Sequence, residues 1–190
     1  MPATPGPVMA ETARLFVSVE VPVTDALLQA MKDLGSVRGV RASKPEQIHI
    51  TLCFLGDTDV RRIPELVGNL KAELSDAHRF RMTIKGIGGF PNLKRPRVVW
   101  AGTEDGGSLS VLAEKVRRAA DRTHLDYDGK RFSPHVTVAR VQGPADVKEV
   151  ADRYSDTVFA ETEVDTVHLM RSVLLPSGAR HTVVESIPLL

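Results

Sequence analysis

The sequence predicts an α+β fold of two similar lobes, with mostly antiparallel sheets and outer helices around a central cleft. Alternating strand patterns are interleaved with amphipathic helices, and the order strand, helix, strand, helix, strand occurs twice along the chain. The composition, 42% hydrophobic and 26% charged, is that of an ordinary globular protein. A length of 190 residues fits one domain made of two small fused lobes.

The first half of the chain contains three predicted strands and two predicted helices. Apolar and polar residues alternate, as in strands, at residues 14–21, 48–55 and 80–87. Thr24 is placed to cap a helix that ends at Gly35. Pro64 marks the first turn of a second helix, which continues to Leu74.

The second half repeats this order and adds strands at its end. Strands are predicted at residues 97–101, 135–141, 157–162, 164–175 and 181–187. Ser108 is placed to cap a long helix, and a short helix follows Pro144. The segment from Gly86 to Pro96, rich in glycine and proline, is predicted to join the two lobes by a turn.

Composition also bounds the function. With 25 Lys and Arg against 24 Asp and Glu, the chain is not a general nucleic-acid coat, so any nucleic-acid contact must use a local cluster of basic residues. The single cysteine, Cys53, excludes an intrachain disulfide and a thiolate zinc site. No run of 18 apolar residues predicts a membrane span.

The first twelve residues hold three prolines and neither Lys nor Arg. They lack the basic and apolar regions of a secretory signal. We therefore predict a flexible N-terminal extension over residues 1–12, a single bilobal domain over residues 13–190, and a cytoplasmic location.

A short polar motif occurs once in each half, on a predicted strand. His49 and Thr51 form the first copy, and His135 and Thr137 form the second. Side chains two residues apart point to the same face of a strand, so each His and Thr should project together. If the lobes are related by a pseudo-two-fold axis, the two pairs face each other across one cleft.

Two histidines across a cleft suit acid–base catalysis near neutral pH, one taking a proton and the other giving one. Threonine hydroxyls between them can hydrogen-bond charged oxygens, which suits phosphoryl transfer and requires no metal. A His-x-Thr sequence also arises by chance, and paired histidines can bind a metal, although no metal-ligand spacing occurs here. Cys53 is predicted on the same face as His49, as a small apolar residue rather than a nucleophile.

The segments QIHITLCFLGDT (47–58) and RFSPHVTVARV (131–141) resemble the two signature motifs of the 2H phosphoesterases. Within that superfamily the chain is similar to RNA 2',3'-cyclic phosphodiesterases, also called 2'-5' RNA ligases. The similarity extends from RLFVSVEVP (14–22) through RPRVVW (95–100) to the closing segment. There His181 stands where the family commonly has an aromatic residue, often Tyr.

The resemblance implies hydrolysis of RNA 2',3'-cyclic phosphate ends to 2'-phosphomonoesters, with weak reverse 2'-5' ligation. It implies that His135 is the base, that His49 is the acid and that Thr51 and Thr137 hold the phosphate. It also implies that Arg140 contacts phosphate or base. On a regular strand Arg140 points away from His135, so only a bulge or the strand end can bring it back.

The partners implied are RNA ends or cyclic nucleotides, bound by a monomer without cofactor, metal or membrane. Two alternatives stay open. One is another 2H phosphodiesterase reaction, on ADP-ribose cyclic phosphate or a 2'-5' oligonucleotide. The other is a non-catalytic RNA-end binder, against which the presence of both histidines argues, since binding alone needs cations more than a proton pair.

Overall fold

The computed structural model describes residues 9–190. Nine strands are present: β1 (Thr12–Glu20), β2 (Val40–Ala42), β3 (His49–Asp59), β4 (Phe80–Phe90), β5 (Val98–Glu104), β6 (Val136–Val141), β7 (Val158–Val164), β8 (Thr166–Leu175) and β9 (Gly178–Pro188). The helices are α1 (Asp25–Gly35), α2 (Ile63–Glu73), α3 (Ser108–Arg122) and α4 (Lys148–Arg153). The predicted extension over residues 1–12 lies mostly outside the described residues, and β1 begins at its last residue.

The strands form two antiparallel sheets, which confirms the predicted α+β class. The four-stranded sheet has the order β3-β1-β8-β9, and the five-stranded sheet has the order β2-β6-β5-β4-β7. Each sheet therefore takes strands from both halves of the chain, so the halves are not the lobes. Along the described residues the chain crosses between the sheets four times: into the five-stranded sheet for β2, back for β3, again after α2 for β4, and finally between β7 and β8.

The helices also cross between the lobes. The first helix, α1, follows a strand of the four-stranded sheet but packs against β2, β6 and β7 of the other sheet. The long helix α3 follows β5 but packs against β3 and α2. Buried apolar side chains from both sheets and all four helices form one hydrophobic core.

Capping and turn residues in the sequence predict the ends of most helices and strands, and the structure corrects three of these predictions. Thr24 caps α1 by accepting a hydrogen bond from the Leu27 amide, as predicted. Ser108 does not cap α3: it is the first helical residue, and Asp105 accepts the bond from the Leu109 amide at 2.7 Å. The predicted stop of the second strand at Gly56 is also wrong, since β3 continues to Asp59.

The third correction concerns the predicted join between lobes, from Gly86 to Pro96. Its first half extends β4 to Phe90, and the rest is the loop that returns the chain into β5. This loop is stabilised by a hydrogen bond from the Arg97 amide to the Phe90 carbonyl at 2.7 Å. The segment is therefore a hairpin within the five-stranded sheet. No helix in the part of the chain that the structure describes is long and apolar enough to cross a membrane.

Candidate active site

The two polar motifs lie on strands that contact each other where the sheets meet. β3 is the edge strand of the four-stranded sheet, and β6 has only the three-residue β2 beyond it. β2 pairs with residues 139–141 of β6, which leaves the motif end of β6 next to β3. β3 is an edge strand because its sheet continues only on the side of β1, through β8 and β9.

Both motif histidines are held by the same backbone contact. The Nδ1 atom of His49 lies 2.8 Å from the Gln47 carbonyl oxygen, and that of His135 lies 2.7 Å from the Ser133 carbonyl oxygen. A carbonyl only accepts, so Nδ1 carries the proton in each neutral ring. The remaining nitrogen, Nε2, is then free to take a proton. The Thr51 hydroxyl donates to Nε2 of His49 at 2.9 Å.

A bulge follows the threonine in both motif strands. In β6, Thr137 and Ala139 pair with the consecutive residues Trp100 and Val99, so Val138 is the extra residue. Arg140 then pairs with Val98. Because directly opposed residues share a face and Val98 shares its face with Trp100, Arg140 lies on the same face as Thr137.

The bulge in β3 falls one residue after Thr51. Ser18 pairs with Thr51 and the preceding Val17 pairs with Cys53, which makes Leu52 the extra residue. The prediction that Cys53 shares the face of His49 is therefore wrong: Cys53 lies in the core and is 4% exposed. Phe54 instead reaches the open face and is 37% exposed, at the position in its motif that corresponds to Arg140.

The core position of Cys53 removes it from the chemistry of the cleft. Burial raises the pKa of its thiol to about 12. The thiolate is the nucleophilic form, and a thiol with this pKa holds its proton at neutral pH. Cys53 is therefore a small apolar residue of the core, in line with its environment next to Val17.

His49 lies among aromatic rings. Phe16 is stacked on it with ring centroids 5.0 Å apart, and His181 meets it edge-on at 5.5 Å. Burial lowers the pKa of His49 from 6.5 to about 4; the Gln47 carbonyl opposes this effect, and charge on His181 and His135 adds to it.

His181 is not among the predicted site residues, yet its ring lies beside His49. Its position on β9, opposite Ser172 of β8, brings it beside Phe16 and His49. Its Nδ1 atom is buried and has no hydrogen-bond partner within the described residues. No spacing in the sequence reveals this position. His181 comes close to His49 because β9 pairs with β8, and not because of its distance along the chain from either motif histidine.

His135 also has aromatic neighbours. Phe90, 38% exposed, lies edge-on to its ring at 5.2 Å and lies 5.3 Å from the ring of Trp100. The indole of Trp100 lies flat over Gly88, where an added Cβ would sit 2.2 Å from ring atoms. Only glycine at this position allows the indole to cover β4, which in turn supports Phe90 beside His135.

The five predicted site residues lie on or immediately before two strands that contact each other, β3 and β6. His49 and Thr51 come from the four-stranded sheet, and His135, Thr137 and Arg140 come from the five-stranded sheet. Among residues 9–190, no three His, Cys, Asp or Glu side chains come together in a group that could hold a metal ion. Together β3 and β6 carry two imidazoles, two hydroxyls and a guanidinium, which are groups suited to proton transfer at an anion.

Comparison with known proteins identifies the family to which this chain is similar. A family model described as the 2'-5' RNA ligase superfamily matches residues 22–174. A protein of Archaeoglobus fulgidus named RNA 2',3'-cyclic phosphodiesterase is 36% identical over 170 residues, which cover 87% of this chain and 94% of the relative. One of Aquifex aeolicus with the same name is 36% identical over 146 residues, covering 75% and 78%.

Solved structures share the fold. The protein TT0787 of Thermus thermophilus superposes with a TM-score of 0.78 at 33% identity, over 93% of this chain and 97% of that one. E. coli LigT complexed with 3'-AMP superposes with a TM-score of 0.76 at 22% identity, over 94% and 99%. The second similarity is one of fold alone.

Proposed function

This chain belongs to the 2'-5' RNA ligase superfamily, and from that premise we propose that it hydrolyses 2',3'-cyclic phosphate ends of RNA to 2'-phosphomonoesters. The observation that carries the proposal is the pair of motif histidines on contacting strands. Each has Nδ1 bonded to a carbonyl and Nε2 left for proton transfer. A monomeric state and a cytoplasmic location stay predictions.

The two histidines divide the proton transfers of one in-line displacement. Nε2 of His135 takes a proton from water as the water oxygen bonds to phosphorus. The bond from phosphorus to the 3'-oxygen breaks on the opposite side, and Nε2 of protonated His49 gives its proton to that oxygen. The products are a 3'-hydroxyl and a 2'-phosphomonoester, and proton exchange with solvent resets both rings.

The acid role requires a proton on His49, and burial of the ring opposes this by lowering its pKa to about 4. The bound cyclic phosphate supplies what is missing. A negative charge within about 4–6 Å of an imidazole raises its pKa by stabilising the protonated form. Substrate binding therefore raises the pKa of His49 and favours the protonated ring that acts as the acid. Without a bound phosphate, His49 is neutral.

Thr51, Thr137 and Arg140 hold the phosphate during this step. Hydroxyl and guanidinium donors stabilise charge that spreads over the phosphoryl oxygens in the transition state. The bulge at Val138 supports this role for Arg140, because it turns the side chain to the face of Thr137. If a 5'-hydroxyl replaces water in the same geometry, it bonds to phosphorus as the 3'-oxygen leaves, and the two ends are joined through a 2'-5' bond. This weak ligation is the reverse of a transesterification in which the 3'-hydroxyl attacks the 2'-5' phosphodiester, releases the 5'-hydroxyl and regenerates the cyclic phosphate.

Product analysis tests the proposal. We expect 2',3'-cyclic nucleotides and oligonucleotides with cyclic phosphate ends to give 2'-phosphates that chromatography separates from the 3'-isomers. Turnover of ADP-ribose cyclic phosphate or a 2'-5' oligonucleotide alone would establish the other phosphodiesterase reaction. Tight binding of RNA ends without turnover of any substrate would establish the non-catalytic binder.

Chelation should leave hydrolysis unchanged. The donors in the cleft are imidazoles, hydroxyls and a guanidinium, and both proton transfers are assigned to side chains. Turnover measured after dialysis against EDTA should equal the untreated rate. A loss that a divalent cation restores would show that metal-ion catalysis replaces the proposed mechanism.

Replacing Arg140 by Lys should lower kcat/KM by about 10-fold, because lysine keeps the charge but loses the two-pronged donor geometry. The pH profile should keep its shape, since Arg140 moves no proton. Arg153→Lys is the matched control, because Arg153 is exposed on α4, which packs against α1 and β4. A wild-type rate in Arg140→Lys would remove Arg140 from the phosphate site.

A further inference from the structure

A second arginine lies directly beside Arg140. Arg41 of β2 pairs with Arg140 of β6, so the two side chains leave the same face of adjacent strands. Both residues are exposed. Like charges directly opposite each other destabilise a sheet, and within residues 9–190 neither arginine has a carboxylate within ion-pair distance.

The surrounding surface adds positive charge. The loop that enters β5 beside Arg140 carries Lys94, Arg95 and Arg97, which also form no ion pair within the described residues. Lys94 and Arg95 line an open cavity of about 700 Å³ next to Trp100 that contains no carboxylate in its walls. With a net charge of only +1 for the chain, this concentration of cations is local.

The cyclic phosphate itself does not need a second arginine. A 2',3'-cyclic phosphodiester carries one negative charge, which Arg140 alone balances. Arg41 lies one strand farther from the reacting phosphate than Arg140 does. A cyclic mononucleotide therefore offers no second phosphate for Arg41 to bind.

We propose that Arg41, beside Arg140, binds the phosphodiester that links the terminal nucleotide to the preceding one, so that the enzyme prefers oligonucleotide ends to cyclic mononucleotides. The inference rests on the proposed function and specifies the length of RNA that the enzyme prefers as its substrate. Arginine presents a planar donor pair that matches two phosphate oxygens. Contacts with the phosphate backbone position the strand and are independent of base sequence.

The test compares Arg41→Gln with wild type on adenosine 2',3'-cyclic phosphate and on an oligonucleotide that ends in the same nucleotide. We expect kcat/KM for the oligonucleotide to fall about 10-fold, and that for the mononucleotide to stay within about 2-fold. The salt dependence of oligonucleotide binding should weaken by about one phosphate contact. Arg153→Gln removes the same charge from α4 and should behave as wild type.

Binding of the product oligonucleotide, measured by fluorescence anisotropy, gives a readout that does not need turnover. If wild type hydrolyses neither substrate, the proposed function is wrong, while weaker oligonucleotide binding by Arg41→Gln still supports the contact. Equal losses on both substrates, no loss on either, or the same loss in Arg153→Gln would each overturn the inference. A loss confined to ADP-ribose cyclic phosphate would overturn it too, because the second phosphate would then belong to a pyrophosphate.

Discussion

Replacing either motif histidine by alanine is expected to lower the rate of cyclic phosphate hydrolysis by about 10²- to 10⁴-fold, the usual contribution of one general acid or base. In the proposed mechanism each ring moves a proton in the displacement, and in both rings Nδ1 is bonded to a backbone carbonyl. The fold should survive, because β3 and β6 are held by their pairing with β1 and β5. Steady-state kinetics and thermal unfolding check both statements.

The control for this pair is His78→Ala, since His78 is exposed in the connection between α2 and β4. It should keep the wild-type rate. If His49→Ala or His135→Ala unfolds, that histidine is structural. A folded variant with normal turnover would remove its ring from the mechanism.

A changed leaving group separates the acid from the base. In a cyclic substrate with sulfur at the 3'-position, a thiolate departs, and a thiolate needs no proton because thiols are far more acidic than alcohols. His49→Ala should then recover most of its lost rate on this substrate, while His135→Ala should not. Recovery by His135→Ala instead would exchange the two roles.

Acidification from pH 7 to pH 4 should cost the wild type about 3 kcal/mol more stability than His49→Gln. The pKa of His49 is 6.5 in an unfolded chain and about 4 in the cleft, where burial is the main cause. Between these values the unfolded state binds more protons, so stability falls as the pH falls. The difference in pKa converts to about 3 kcal/mol at 1.36 kcal/mol for each pKa unit.

Urea unfolding of both proteins at pH 7 and pH 4 measures this difference. Burial also lowers the pKa of His181, so His181→Phe should lose part of the same pH dependence. Carboxylates that pair in the folded state contribute equally to wild type and variant and cancel in the comparison. Parallel pH dependence in wild type and His49→Gln would show that the ring is accessible to protons in the folded state.

Much of the protein follows from local sequence. The His-x-Thr spacing puts each His and Thr on one face of its strand, because strand side chains alternate with a period of two. Amphipathic periodicity places the helices, and the cap at Thr24 is correct because it depends on an amide only three residues away. The family and the α+β class, predicted from the motifs and the element order, are confirmed.

What local sequence could not determine depends on pairing between distant strands. Alternation alone sends Arg140 away from the site and Cys53 into it, and a one-residue bulge after each threonine reverses both. A bulge is defined by the partner strand, since it is one residue more than the neighbour can pair with, and no pattern within the strand reveals it.

The same reason explains the exchange of strands between sheets and the arrival of His181 beside His49. β4 pairs with strands that follow it in the chain, whereas β8 and β9 join the sheet of β1. Which strands pair depends on the burial of apolar faces from the whole chain, and not on the sequence of one strand. The sequence alone thus determines the reacting groups and their local direction. The tertiary structure decides which further side chains meet them, because register between strands is a property of the assembled sheet.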